Sequence, residues 1–186
     1  MEVRALQEPA PVRWLLADPR SAWVWLIPRL WLGWQWLEAG LGKVGNPAWT
    51  GPQAGAAITG FIQGALQRAG GEHPEVTGWY ASFLKNVVLP NAPFWARLVA
   101  YGEVLVGLGL LLGFLTGIAA FFGSFMNFSF LLAGTSGANP IMFAVATAIV
   151  LGWRVAGWIG LDRWLLPALG TPWEPGRAFA KRETQR

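Results

Sequence analysis

Five ionisable side chains interrupt the apolar stretches of this 186-residue chain: Arg29, Glu38, Arg97, Glu103 and Arg154. In a membrane-spanning helix each costs about 2.5–3.5 kcal/mol, so such residues face the bundle interior, pair, and mark paths for protons, ions or substrates. A carboxylate shielded from water suits proton relay. Glu103 and Glu38 are the candidates, and Glu103 comes first because its short side chain lies deeper. Cations near a membrane surface suit a small anionic substrate. Lys43, Arg97 and Arg29 are assigned that role, with Lys85 a weaker addition, and Trp36 and Tyr101 supply aromatic walls and a hydroxyl.

Much other chemistry is excluded by composition. There is no cysteine, so disulfides, thiolate catalysis, iron–sulfur clusters and Cys-ligated haem are out. A single histidine, His73, rules out a bis-His haem within one chain, and no metal-ligand cluster stands out. The residues AVILMFWYC make up 54% and charged residues only 13%, about half the charge of an ordinary soluble domain. Disorder needs the opposite composition. The net charge of +4 gathers at the chain ends rather than in a nucleic-acid-binding stripe.

These residues need elements to hold them, and the pattern predicts an all-α membrane protein. Apolar runs at 22–41, 94–113, 117–133 and 141–159 each come near the ~20 residues that a spanning helix requires. The first run is too long and too charged for a signal peptide. Between the first two runs, residues 52–69 and 79–89 show helical spacing of apolar residues, with Trp79 and Tyr80 suited to an interface. The expectation is a four-helix bundle with interfacial amphipathic helices between helices 1 and 2. Its parts are an N-terminal segment 1–21, a membrane domain 22–170 with an outward loop 42–93, and a basic tail 171–186.

Lysine and arginine placement sets the expected topology. With both termini cytoplasmic, Arg4, Arg13, Arg20, Arg163, Arg177, Lys181, Arg182 and Arg186 lie inside, and Lys43, Arg68 and Lys85 outside. Two charged clusters follow: an outer one of Glu38, Lys43, Arg97 and Glu103, and an inner one of Arg29, Arg154, Asp162 and Arg163. Glu103 stands about 9 Å deeper than Arg97 along helix 2. Arg29, Gly33, Trp36, Gly40 and Lys43 recur at steps of 4, 3, 4 and 3 and share one helix face.

Plainer roles compete. Glu38, Lys43 and Arg97 can snorkel to water, Arg154 and Arg163 can be topology anchors, and Glu103 can be half of a locking ion pair. His73 reads as a surface residue and Asn127 as an interhelical hydrogen-bonding partner. The Gly109, Gly113 and Gly117 series suits either a hairpin or close helix packing.

The pieces Arg29-xxx-Gly33-xx-Trp36-xxx-Gly40-xx-Lys43, Asn46-Pro47-x-Trp49, Trp79-Tyr80-xx-Phe83-Leu84 and Leu89-Pro90-Asn91 occur in that order. They are followed by Gly102-Glu103-xxx-Gly107-xx-Leu110-xx-Gly113-xx-Thr116 and Ala156-Gly157-xx-Gly160-Leu161-Asp162-Arg163. With these pieces the chain resembles the DoxX/DoxD family over residues 22–170, most closely the DoxD-like membrane subunit of thiosulfate:quinone oxidoreductase. The resemblance implies a four-helix protein of a prokaryotic cytoplasmic membrane. It also implies oxidation of thiosulfate or a related small reductant, with electrons passing to membrane quinone. The site residues named above come from charge and depth, not from the resemblance.

Because the chain lacks a redox centre of its own, the expectation includes either direct reaction of the two substrates or a partner redox subunit. A homo-oligomer is left open. The competing expectation is a non-enzymatic anchor or assembly partner docked through residues 42–93. A small transporter ranks third, since no inverted repeat or broken-helix pair is evident.

Overall fold

Pro9 and Pro11 open the first helix, α1 (Ala10–Ala17), inside the segment 1–21, where the sequence predicts no helix. The computed structural model describes residues 8–171 and 174–179. Asp18 ends α1 and accepts the N–H of Arg20 at 2.9 Å, starting a short 3-10 turn. One side chain of that turn and one of the next helix hold α1 in place: Ser21 Oγ and Trp25 Nε1 both donate to Leu15 O, at 2.8 and 2.9 Å.

Helix α2 (Ala22–Val44) runs three residues past the predicted run and stops at the Gly45-Asn46-Pro47 turn. Its faces divide sharply. Arg29, Leu32, Gly33, Trp36 and Gly40 are buried, while Trp23, Ile27, Trp31, Trp34 and Leu41 are exposed. Helix α3 (Ala56–Gln67) and helix α4 (Gly78–Phe83) fall where amphipathic helices were expected. A π turn and a 3-10 turn carry α4 without a break into α5 (Ala92–Leu112).

Gly113 (φ 62°) and Leu115 (φ 47°) reverse the chain into α6 (Thr116–Leu132), so the Gly109–Gly117 series builds a hairpin. Helix α7 (Asn139–Leu151) has 13 residues. The last apolar run therefore breaks at Gly152, earlier than the predicted end at residue 159. A one-turn helix α8 (Trp153–Ala156) and irregular backbone lead to α9 (Asp162–Leu169). Beyond it, strand β1 (Gly170–Thr171) pairs antiparallel with β2 (Glu174–Pro175), a minimal addition to an otherwise helical fold. The remaining predicted tail residues, including Lys181, Arg182 and Arg186, lie outside the described residues, as does Arg4.

The core helices α2 and α5 meet backbone to backbone. A Cβ at Gly40 would lie 2.6 Å from Val104 N, and one at Gly107 would lie 2.6 Å from Leu37 N. Small residues at an interface let dispersion act over a long contact, as in lipid-embedded bundles. Trp36, Leu32, Val106, Leu110, Ala120, Ala146 and Ile149 fill the centre. A second core of Ile62, Ala65, Val76, Tyr80, Leu84, Ala96 and Ala133 joins α3 and α4 to one end of the bundle. That cap is fastened by Tyr80 Oη donating to Ser129 O and Arg68 Nη2 donating to Ala133 O, both at 2.8 Å.

Outside this interior the molecule is apolar. Phe94, Leu98, Leu105, Leu108 and Leu112 of α5 are exposed, as are Ile118, Phe121, Phe122, Phe125 and Phe128 of α6. Soluble monomers rarely show apolar patches beyond a few hundred Å², so this belt points to lipid. Among the described residues, the continuous run 78–112 is the one helix both long and apolar enough to cross a membrane. Helices α6 and α7 are apolar but shorter, and α2 carries Arg29, Glu38 and Lys43.

Candidate functional site

Lys43 stands in the last turn of α2, where the Gly40 contact brings α2 against Glu103 and Val104 of α5. Its Nζ lies 2.6 Å from Glu103 Oε2. The Glu103 side chain is 2% exposed and that of Lys43 is 23% exposed. The carboxylate is thus inside the bundle, and the cation lies between it and the exterior. Lys43 Nζ also stands 5.3 Å from the centre of the Trp49 ring, a cation–π contact from the turn after α2. A buried carboxylate paired with a half-buried cation leaves that cation able to turn toward an incoming anion.

The other predicted residues are distributed differently. Arg97 and Tyr101 are exposed on the opposite side of α5. Two residues of helix turn Tyr101 about 200° away from Glu103. With Phe94, Leu98, Gly102 and Leu105 they line a groove of about 590 Å³ on the apolar outer face of α5. Glu38 is exposed on α2, and Lys85 is exposed in the π turn. Only Lys43 and Glu103 of the expected outer cluster are joined to each other; α5 separates them from Arg97.

Trp36 is fully buried one turn inward from Gly40, with its Nε1 directed at Gly123 of α6, where a Cβ would lie 3.0 Å away. Asn127, one turn further along α6, is also fully buried. Neither the Trp36 N–H nor either amide atom of Asn127 has a hydrogen-bond partner among the described residues. The interhelical hydrogen bond expected of Asn127 is therefore not made.

The expected inner cluster splits in two. Arg29 is buried and donates from Nη2 to Ile159 O at 2.7 Å, while its Nε and Nη1 have no hydrogen-bond partner among the described residues. Asp162 is buried beside it and accepts the N–H groups of Leu115 and Thr116 at 2.7 and 2.9 Å, capping the start of α6 from a distant part of the chain. Sequence reasoning missed this capping role because the capped helix begins 46 residues earlier. Arg154 and Arg163 are exposed, and Arg154 stands 5.7 Å from the Trp153 ring centre. Arg29 and Lys43 lie 14 residues apart on α2, about 21 Å along the axis, so the buried cation and the half-buried one serve opposite ends of the bundle.

No curated protein and no solved structure matches the chain. The family profile described as TQO small subunit DoxD matches residues 24–174. That interval takes in α2 through α9, the Lys43–Glu103 pair and the Arg29–Asp162 cluster, and the chain belongs to the DoxD family of membrane proteins.

Proposed function

We propose that this chain is the quinone-linked membrane subunit of a thiosulfate-oxidising system. In this reading α2, α5, α6 and α7 with its continuation cross the bilayer, and both termini are cytoplasmic. The family described as the small subunit of TQO, thiosulfate:quinone oxidoreductase, supports the substrate pair. The observation that carries the residue assignment is the Lys43–Glu103 pair, a carboxylate inside the bundle whose counter-ion is partly exposed.

The chemistry balances as follows. Two thiosulfate dianions lose one electron each and form the S–S bond of tetrathionate. One quinone takes both electrons and two protons to become quinol. Lys43 attracts the dianion, and Glu103 relays protons. The groove at Arg97 and Tyr101 opens toward lipid and receives the quinone ring. Its aromatic wall and two polar tips match what a largely apolar ligand needs. Arg97 and Tyr101 are spaced by about 6 Å along α5, suited to holding the two quinone oxygens.

The test is thiosulfate-dependent reduction of a soluble quinone analogue by the purified chain, alone and with any copurifying subunit. Activity in either preparation supports the reading. Silence in both withdraws it in favour of a membrane anchor. Exposed Trp79 and Val87 on the cap favour that second reading, because they offer a docking surface.

A further inference from the structure

At the end of the bundle that carries α1 and α9, a second groove of about 410 Å³ opens on the apolar surface. Leu112, Ile159 and Gly160 form its floor, and Trp158, Arg163 and Trp164 stand around it. The backbone of Ile159 and Gly160 stands between the groove and the interior. Behind it lies the Arg29 guanidinium, 1% exposed, with Nη2 on Ile159 O and Nη1 against Gly160, where a Cβ would lie 3.0 Å away. Gly160 interposes no side chain between the groove and this charge. Two of the three guanidinium nitrogens have no hydrogen-bond partner among the described residues.

The buried carboxylate beside Arg29 acts electrostatically on that guanidinium and does not line the groove. Asp162 is fully buried, and both its oxygens are occupied by the N–H groups of Leu115 and Thr116. The groove thus presents one exposed cation, Arg163, with no ion pair among the described residues, between two indole rings of the kind that favour the headgroup level of a bilayer. Guanidinium groups are well matched to phosphate oxygens. Among the described residues, the groove lining holds no carboxylate to receive the ammonium of a zwitterionic headgroup.

We infer that this groove is a binding site for the phosphate of an anionic phospholipid, with its acyl chains lying along Leu112 and Ile159. The site is separate from the Lys43–Glu103 pair and does not depend on the activity proposed above.

The test is native mass spectrometry of the full chain from mixed micelles holding equal phosphatidylglycerol and phosphatidylcholine. One retained phosphatidylglycerol is expected, favoured about five-fold or more over phosphatidylcholine, since each surface arginine adds about that factor. Arg163→Gln should abolish the preference, and Arg163→Lys should keep most of it. Arg13→Gln, which removes a charge at the same end but outside the groove, should leave it unchanged. Equal retention of the two lipids, or an unchanged preference in Arg163→Gln, would overturn the proposal. Displacement of the lipid by millimolar inorganic phosphate would identify a soluble phosphate as the occupant and also refute it.

Discussion

Lys43 Nζ and Glu103 Oε2, 60 residues apart in sequence, meet at 2.6 Å and join the end of α2 to the middle of α5. Removing one member of a buried pair costs more than removing both, because a lone charge is left in a medium that solvates it poorly. Lys43→Met should therefore destabilise the protein by about 3–5 kcal/mol. Adding Glu103→Gln should restore most of the loss. Denaturant unfolding in micelles, run as a double-mutant cycle, checks both numbers; additive single effects would remove the coupling.

Glu103→Gln alone keeps the size and one acceptor of the side chain but cannot carry a proton. Quinone reduction should fall by about 100-fold, within the range expected for loss of a proton-transfer group, with helical circular dichroism and elution volume unchanged. Turnover at the parent rate would take Glu103 out of the mechanism.

Arg97 and Tyr101 predict a different kinetic signature. They are exposed on α5 and turned away from Glu103. Tyr101→Phe and Arg97→Gln should raise KM for the quinone analogue several-fold and leave KM for thiosulfate alone. A loss confined to kcat, or to thiosulfate KM, would move the quinone away from this groove.

Gly107 tests the helix contact. Its missing Cβ would lie 2.6 Å from Leu37 N, backbone that cannot swing aside. Gly107→Ala should force α2 and α5 apart at a cost of about 1–3 kcal/mol. The expected readout is a lower Tm in detergent together with lower quinone reduction, since the displacement also stretches the ion pair. An unchanged Tm would show that the two backbones separate without cost at this contact.

Asp162 gives a purely structural prediction. Asp162→Ala leaves the N–H groups of Leu115 and Thr116 without their acceptor, and caps of this kind contribute about 1–2 kcal/mol. Gly157→Ala should mimic it, because the new methyl group collides with the Asp162 carboxylate. Each kcal/mol lowers Tm by about 2–4 °C in a chain of this size. Matching losses in the two variants, with no further loss in the double variant, would confirm that they act through one cap.

The polar face of α2 was legible in the sequence because a 3.6-residue period survives one glance at the glycines. Arg29, Gly33, Trp36 and Gly40 are all buried, with Lys43 at the edge. The pairing of that face was not legible. Helix α5 is apolar nearly all round, so its rotation leaves little periodic trace, and Arg97, Tyr101 and Glu103 read as one cluster until packing divides them. The last apolar run misled for another reason. Residues 141–159 look continuous by hydropathy, yet Gly152 abuts the Trp25 ring and Gly157 abuts the Asp162 carboxylate, contacts that only tertiary structure supplies.

The early end of α7 has a consequence for the surrounding lipid. Thirteen helical residues reach about 20 Å, against a hydrocarbon layer of about 30 Å. Below it only the one-turn α8 is helical before α9, so the irregular stretch 157–161 and the chain beside it draw hydrogen bonds from elsewhere. Arg29 supplies one to Ile159 O, and the N–H groups of Leu161 and Asp162 serve Leu112 O and Gly113 O. A buried cation here completes the hydrogen bonding of an interrupted helix. In the bilayer orientation proposed above, the helical part of this flank is shorter than α5, so a bilayer matched to one is not matched to the other. Membrane thickness therefore becomes a variable to which this end of the molecule is mechanically coupled.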